Sequence, residues 1–166
     1  MKKFIALLSI LILISISCDD DEDPSTALDD LPGSLVATID GETIDFRYQP
    51  RANVGTYDNG VNVFDAIFIR GTTNSNFTRE LNISIVNPAI GLIELNSEAL
   101  SGIRYEKVLP DGIGQAYSTY AGTGAGTITV TELGDRIMGT FNATLYDFQN
   151  DVEIIVDGSF DLEITE

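Results

Sequence analysis

The 166-residue sequence has no histidine, no tryptophan, a single cysteine, and only nine basic residues against 26 acids. Without histidine, Ser-His-Asp and Cys-His nucleophilic catalysis, imidazole acid–base chemistry and the usual zinc ligand sets are excluded. One cysteine permits no internal disulfide, so any folded part must be held by its core alone. The formal net charge of −17 repels phosphate backbones, which argues against DNA or RNA as partners. No glycine-rich segment follows a strand pattern and opens a helix; the "GTGAG" of residues 122–126 precedes a strand pattern and reads as a loop. No cofactor and no metal site are expected.

The cysteine stands at a junction. Upstream, Lys2 and Lys3 precede the apolar run Phe4–Ile16, whose thirteen residues fall short of the roughly 20 that a spanning helix needs. This is the layout of a secretory signal. Residues 15–18, "SISC", resemble the bacterial lipoprotein signal, with small Ser17 before a lipid-modified cysteine. The resemblance implies cleavage after Ser17 and lipid attachment at Cys18, whose thiolate is the nucleophile such a transfer requires. Ser15 departs from the aliphatic residue usual there, and an ordinary signal peptidase would cut the same bond. The expected organisation is a signal peptide over 1–17, a lipidated cysteine and acidic disordered tether over 18–32, and a single domain over 33–166.

The tether begins "DDDEDPSTALDDL", seven acids with no base. Such composition self-repels and lacks the apolar content to fold; fully extended, it would reach about 45 Å at 3.3–3.6 Å per residue. Alternate acids at Asp19, Asp21 and Asp23 invite comparison with a calcium loop, but an EF-hand needs glycine at its sixth position, where this run has Pro24.

Beyond residue 33 the apolar pattern has period two. Leu35, Ala37 and Ile39 share one face, as do Leu81, Ile83 and Ile85; Ile128 and Val130; Ile137, Phe141, Ala143 and Leu145; and Phe160, Leu162 and Ile164. These read as half-buried strands. Asp40-Gly41, Asn59-Gly60, Asp111-Gly112, Asp157-Gly158 and Gly134-Asp135 are hairpin turn dipeptides. Residues 90–103 fit either a short helix or a strand with its turn. The predicted class is all-β, an antiparallel β-sandwich, with a closed lipocalin-like barrel as the alternative.

The segments "GSLVATIDGETIDF", "GTITVTELGDRIMGTFNATLYD" and "VDGSFDLEI" resemble uncharacterised lipoproteins of Bacteroidetes, especially flavobacteria. That resemblance implies a β-sandwich-like domain on an outer-membrane lipid anchor, with no established activity. In that group an acidic stretch after the lipidated cysteine accompanies export to the cell surface, and "CDDDED" is similar to it. Outer membrane, at the cell surface, is the expected location; the periplasmic face or secretion are the alternatives.

Carboxylates are the catalytic side chains left. A glycoside hydrolase needs two of them about 5–9.5 Å apart. Asp65, in "NVFDAIFIRG" with Arg70, is flanked by apolar residues, but the expected arrangement has it facing solvent with Phe64, Ala66 and Phe68 inward. Tyr105, Tyr117 and Tyr120 form a weak ligand-binding candidate, since exposed rings stack on sugars or anchor partners, although tyrosines at a sheet margin more often pack. The N-glycosylation patterns at Asn76, Asn82 and Asn142 carry no meaning behind a bacterial signal. The functional expectation is a non-enzymatic, lipid-anchored envelope β-domain with a ligand-binding, partner-binding or structural role. It would meet the membrane through its lipid, and a glycan or envelope protein elsewhere. A carboxylate glycoside hydrolase and an apolar-ligand carrier barrel are the alternatives.

Overall fold

A computed structural model describes residues 33–165. The expected signal, Cys18 and the acidic run, with its calcium-loop comparison, lie outside the described residues. Eleven strands follow in order: β1 (Gly33–Ile39), β2 (Glu42–Asp45), β3 (Tyr48–Asp58), β4 (Val63–Thr72), β5 (Arg79–Val86), β6 (Gly91–Leu95), β7 (Gly102–Val108), β8 (Gly114–Ser118), β9 (Ala125–Leu133), β10 (Arg136–Asp147) and β11 (Val152–Thr165). The fold is all-β. Residues 90–103 resolve as β6, a turn and the start of β7, with no helix.

The strands join in the order β2-β1-β11-β3-β4-β5-β7-β8-β10-β9-β6, and β11 also pairs with β10. The long β11 takes β10 along one edge and β1 along the other. At its end it takes β3 in the one parallel joint, Ile164 opposite Ala52 and Thr165 opposite Asn53. β10 meets β8 at a single position, Tyr146 opposite Ser118. The pairings therefore close a circuit through two narrow joints, from which β1–β2 and β9–β6 branch. Both the sandwich and the barrel accommodate such a circuit.

Alternation decides which side chains enter the core. Leu35, Ala37, Leu81, Ile83, Ile85, Ile128, Val130, Ile137, Leu145, Phe160 and Leu162 are all buried in one cluster, as their spacing predicts. Phe46 meets Tyr105 edge to face, and Phe141 stacks near Phe160. The Asp40-Gly41 turn has positive φ at both residues, 49° and 86°, the primed geometry that matches strand twist. Gly134-Asp135 likewise joins β9 to β10.

Two expectations are corrected. Asp157-Gly158 is no turn: both residues lie inside β11, opposite Thr38 and Ala37 on one side and Asn142 and Phe141 on the other. The hairpin at that end of the chain instead uses residues 148–151, with Asp151 at φ 54°. In β4 the inward residues are Ile67 and Ile69, so Phe64, Ala66 and Phe68 lie on the outer face. Asp65 is exposed, as expected, although it shares the parity of Ile67. It precedes Ala66, the first β4 residue in register with β5, and lies opposite Thr56 of β3.

The turn between β10 and β11 is organised by Asp147, which is 2% exposed. Its carboxylate accepts from the Asn150 side chain at 2.6 Å, from Gln115 of β8 at 2.9 Å, and from the backbone N–H of Gln149 at 2.8 Å. The Asn150 amide, then Gln115 and the backbone donors, hold its carboxyl below the usual aspartate value despite the opposing effect of burial. The stabilisation this depressed value represents is present above about pH 4 and is lost as pH falls through the folded-state value. Asp147→Asn should cost about 1–3 kcal/mol at pH 7. The gap from wild type should narrow at pH 3, read by urea unfolding at both pH values; a gap independent of pH would refute the role of the charge.

Candidate functional site

On the outer face of β3, β4, β5 and β7, cross-strand register assembles two rows. The first runs Arg51, Arg70, Asn82 and Arg104. The second runs Asn53, Phe68, Ser84 and Gly102. Together with Tyr120 they line a groove of about 250 Å³.

Local structure sets each member. Three steps of β3, from Tyr48 to Arg51, oppose the two steps from Thr72 to Arg70, with Gln49 at φ 52°. This bulge brings Tyr48 and Arg51 onto the same outer face, which their sequence separation alone would forbid. Pro50 suits the break because it has no N–H for the ladder. Thr72 satisfies the irregular segment by donating to the Tyr48 carbonyl at 3.1 Å.

The rings lie low because glycines leave room beneath them. A Cβ on Gly55 would stand 3.1 Å from Phe68, and one on Gly102 would stand 2.3 Å from Tyr120. Tyr120 is further fixed by its backbone N–H, which donates to Ser118 Oγ at 2.9 Å, and by its hydroxyl, which donates to the Leu100 carbonyl at 3.2 Å and contacts Ser84 Oγ. The adjoining chain is held by buried hydroxyls: Ser101 Oγ accepts from Val86 N–H at 2.9 Å, and Thr119 Oγ1 accepts from Ile103 N–H at 3.1 Å. Burial pushes the Tyr120 phenol up, against the opposing bond to Ser84.

Two of the three arginines are held by ion pairs. Arg70 pairs with Glu80 at 2.7 Å and lies 5.6 Å from the Phe77 ring centroid. Arg104 pairs with Glu106 at 2.7 Å. Burial raises the Glu80 carboxyl, but hydrogen bonds from Arg70 and Asn82 and the charges of Arg70 and Arg104 outweigh it, so Glu80 stays below its ordinary value. Arg51 has no acidic group within 4.0 Å among the described residues.

The three tyrosines singled out by sequence do not form one exposed platform. Tyr105 and Tyr117 are packed in the core, 3% and 2% exposed, stacked on each other at 6.1 Å. Lys107 lies 5.3 Å from the Tyr117 ring centroid. Tyr120 alone reaches the groove, at 39% exposed. Arg51, Phe68, Asn82 and Arg104 were not singled out by sequence. Their one local signal is an arginine at an outward position in a strongly acidic chain; their neighbourhood depends on register across four strands.

The chain matches no protein-family model, no curated protein and no solved structure. The groove's own chemistry is therefore the ground for a functional reading. Six polar or charged side chains, besides Tyr120, surround the apolar ring of Phe68. This is the composition of a site that orients a small ligand through few polar contacts. Among the described residues the lining contains no carboxylate.

Proposed function

We propose that the chain is a lipid-anchored β-domain of the outer membrane, displayed at the cell surface, which binds a ligand through the outer face of β3, β4, β5 and β7 and performs no catalysis. The observation that carries the binding is the placement of three of the seven basic residues from Gly33 onward in one groove of an acidic chain. Random placement would scatter them over the surface. A carboxylate glycosidase needs two acids facing each other across a cleft, and the carboxylate-free lining favours binding over hydrolysis. The anchoring part of the reading rests on Lys2, Lys3, the apolar run and "SISC", together with the resemblance to flavobacterial lipoproteins.

An array of immobilised glycans and envelope components, probed with wild type and with the Arg51→Gln, Arg104→Gln double variant, tests the groove. Wild type should retain one ligand class at least tenfold better than the variant. Identical patterns for the two proteins would end this reading. Both arginines are solvent-facing, and the variant should keep the wild-type melting temperature.

A further inference from the structure

The groove combines charge, ring faces and amides in a fixed order. Neighbouring strands lie about 4.8 Å apart, so the row from Arg51 on β3 to Arg104 on β7 spans roughly 15 Å across three strand spacings. Guanidinium groups bind carboxylates through a planar fork of paired N–H donors. Each has five donors; the pairs of Arg70 with Glu80 and Arg104 with Glu106 each leave further donors unused. Those same pairs hold the heads in position, which lowers the ordering cost of capturing a ligand.

Beside that row lies Phe68, 37% exposed and reclined over Gly55, with Tyr120 reclined over Gly102. Flat aromatic faces suit the C–H face of a sugar ring. Asn53 and Asn82 each spend one amide N–H internally, on Thr165 at 2.9 Å and Glu80 at 2.7 Å. Their remaining donor and carbonyl capacity suits hydroxyl groups. The volume of about 250 Å³ is below the roughly 300–1,000 Å³ of drug-sized pockets, a size for one ring at a time rather than a bulky ligand. Among the described residues no carboxylate stands in the lining, and the two nearest, Glu80 and Glu106, are each held by an arginine, which leaves Arg51 as the groove's uncompensated charge.

We infer that the groove takes a carboxylated sugar ring, the uronic-acid class, as one unit of an acidic polysaccharide. This rests on the groove being a binding site and names the chemistry it selects. The carboxylate lies against the arginine row, the ring rests on Phe68, and the hydroxyls meet Asn53 and Asn82. At physiological salt, charges beyond about 8 Å are largely screened. The protein's overall negative charge then slows approach but does not cancel contacts made inside the groove.

The test is calorimetric titration of the full chain in detergent micelles with three probes: a galacturonic acid trimer, its carboxyl-reduced neutral counterpart, and sulfated dextran. The acidic trimer should bind at least tenfold more tightly than the neutral one. Arg51→Gln with Arg104→Gln should remove at least tenfold of that affinity, and Phe68→Ala should weaken it with the melting temperature unchanged. Equal binding of acidic and neutral trimers would overturn the uronate assignment while leaving the groove a binding site. Sulfated dextran binding as tightly per charged unit would overturn it too, since charge alone would then suffice. Acidic-trimer binding that persists unchanged in both variants would overturn the assignment together with the reading of the groove. Failure of both sugars to bind would overturn the uronate class, and the array with the arginine variant would then decide the groove separately.

Discussion

Replacing Gly158 with alanine should destabilise the protein by about 3 kcal/mol, at the upper end of what overpacking usually costs. A Cβ at this position would stand 2.2 Å from the Val36 carbonyl oxygen, 2.5 Å from Phe141 Cζ and 3.0 Å from Ala37 Cα. Two of those three neighbours are backbone atoms of β1, which cannot swing away as a side chain can. Phe141 is itself confined, 4% exposed and stacked near Phe160. Gly158 therefore sets the distance at which β1 and β10 flank β11. The control is Gly41→Ala in the β1–β2 turn, where nothing lies within 4 Å and the cost comes from a φ of 86°; about 1 kcal/mol is expected there. Urea unfolding of both variants separates the cases. Similar small losses at the two positions would refute the pinched packing around β11.

The contrast also explains how an Asp-Gly pair misleads. In a two-residue hairpin the flanking residues face the same side although they are three apart, so the apolar phase must flip across the turn. It flips across Asp40-Gly41, from Leu35, Ala37 and Ile39 to Ile44 and Phe46. At Gly134-Asp135 the phase flips within β9 instead, between Val130 and Leu133 at the bulge opposite Met138 and Gly139, and Leu133 pairs with Ile137. Across Asp157-Gly158 it does not flip: Ile154, Val156, Phe160 and Leu162 are all even. The continuous strand was therefore legible in the sequence through phase, and the turn propensity of the dipeptide was the weaker signal. The segments "TIDGETIDF" and "IVDGSFDLEI" share an Asp-Gly pair, yet one is a hairpin and the other a single strand.

Strand β4 failed for a different reason. Ile67 and Ile69 alternate with Phe64, Ala66 and Phe68, so both faces are apolar and period two alone cannot choose between them. Asp65 suggested that odd positions face outward, whereas Arg70 suggested that even ones do. Arg70 was the sounder guide, because it lies where β4 is in register with both β3 and β5, whereas Asp65 precedes the register with β5. The groove followed the same logic. Arg51, Arg70 and Arg104 are 19 and 34 positions apart, and only the pairing of β3 to β4, β4 to β5 and β5 to β7 brings them into one row. The bulge at Gln49 and Pro50 then decides that Arg51 points outward. Neither long-range register nor a bulge has a local signature strong enough to be read from one strand at a time.

Cys18→Ser should move the protein from the membrane fraction to the soluble fraction almost completely, the largest change expected from any single substitution here. The reasoning is additive. Each buried methylene of an acyl chain contributes about 0.8 kcal/mol, one chain holds a protein only reversibly, and two chains hold it stably. The lipoprotein signal that "SISC" resembles implies two chains on the cysteine sulfur and a third on its amine, so losing the sulfur removes the attachment as a whole. Among the described residues no helix is long and apolar enough to cross a membrane, and the net charge of −17 disfavours adhesion to anionic lipid. Globomycin, which blocks the lipoprotein signal peptidase, should leave a precursor still carrying residues 1–17, and mass spectrometry of the untreated protein should find Cys18 acylated. Cleavage after Ser17 with an unmodified thiol would instead assign the site to ordinary signal peptidase, the outcome that Ser15 leaves open, and the domain would then be released. The Arg51 groove gives this test a second readout: if the domain binds at the cell surface, intact cells should capture the ligand through wild type but not through Cys18→Ser, although the released protein should bind the same ligand with unchanged affinity.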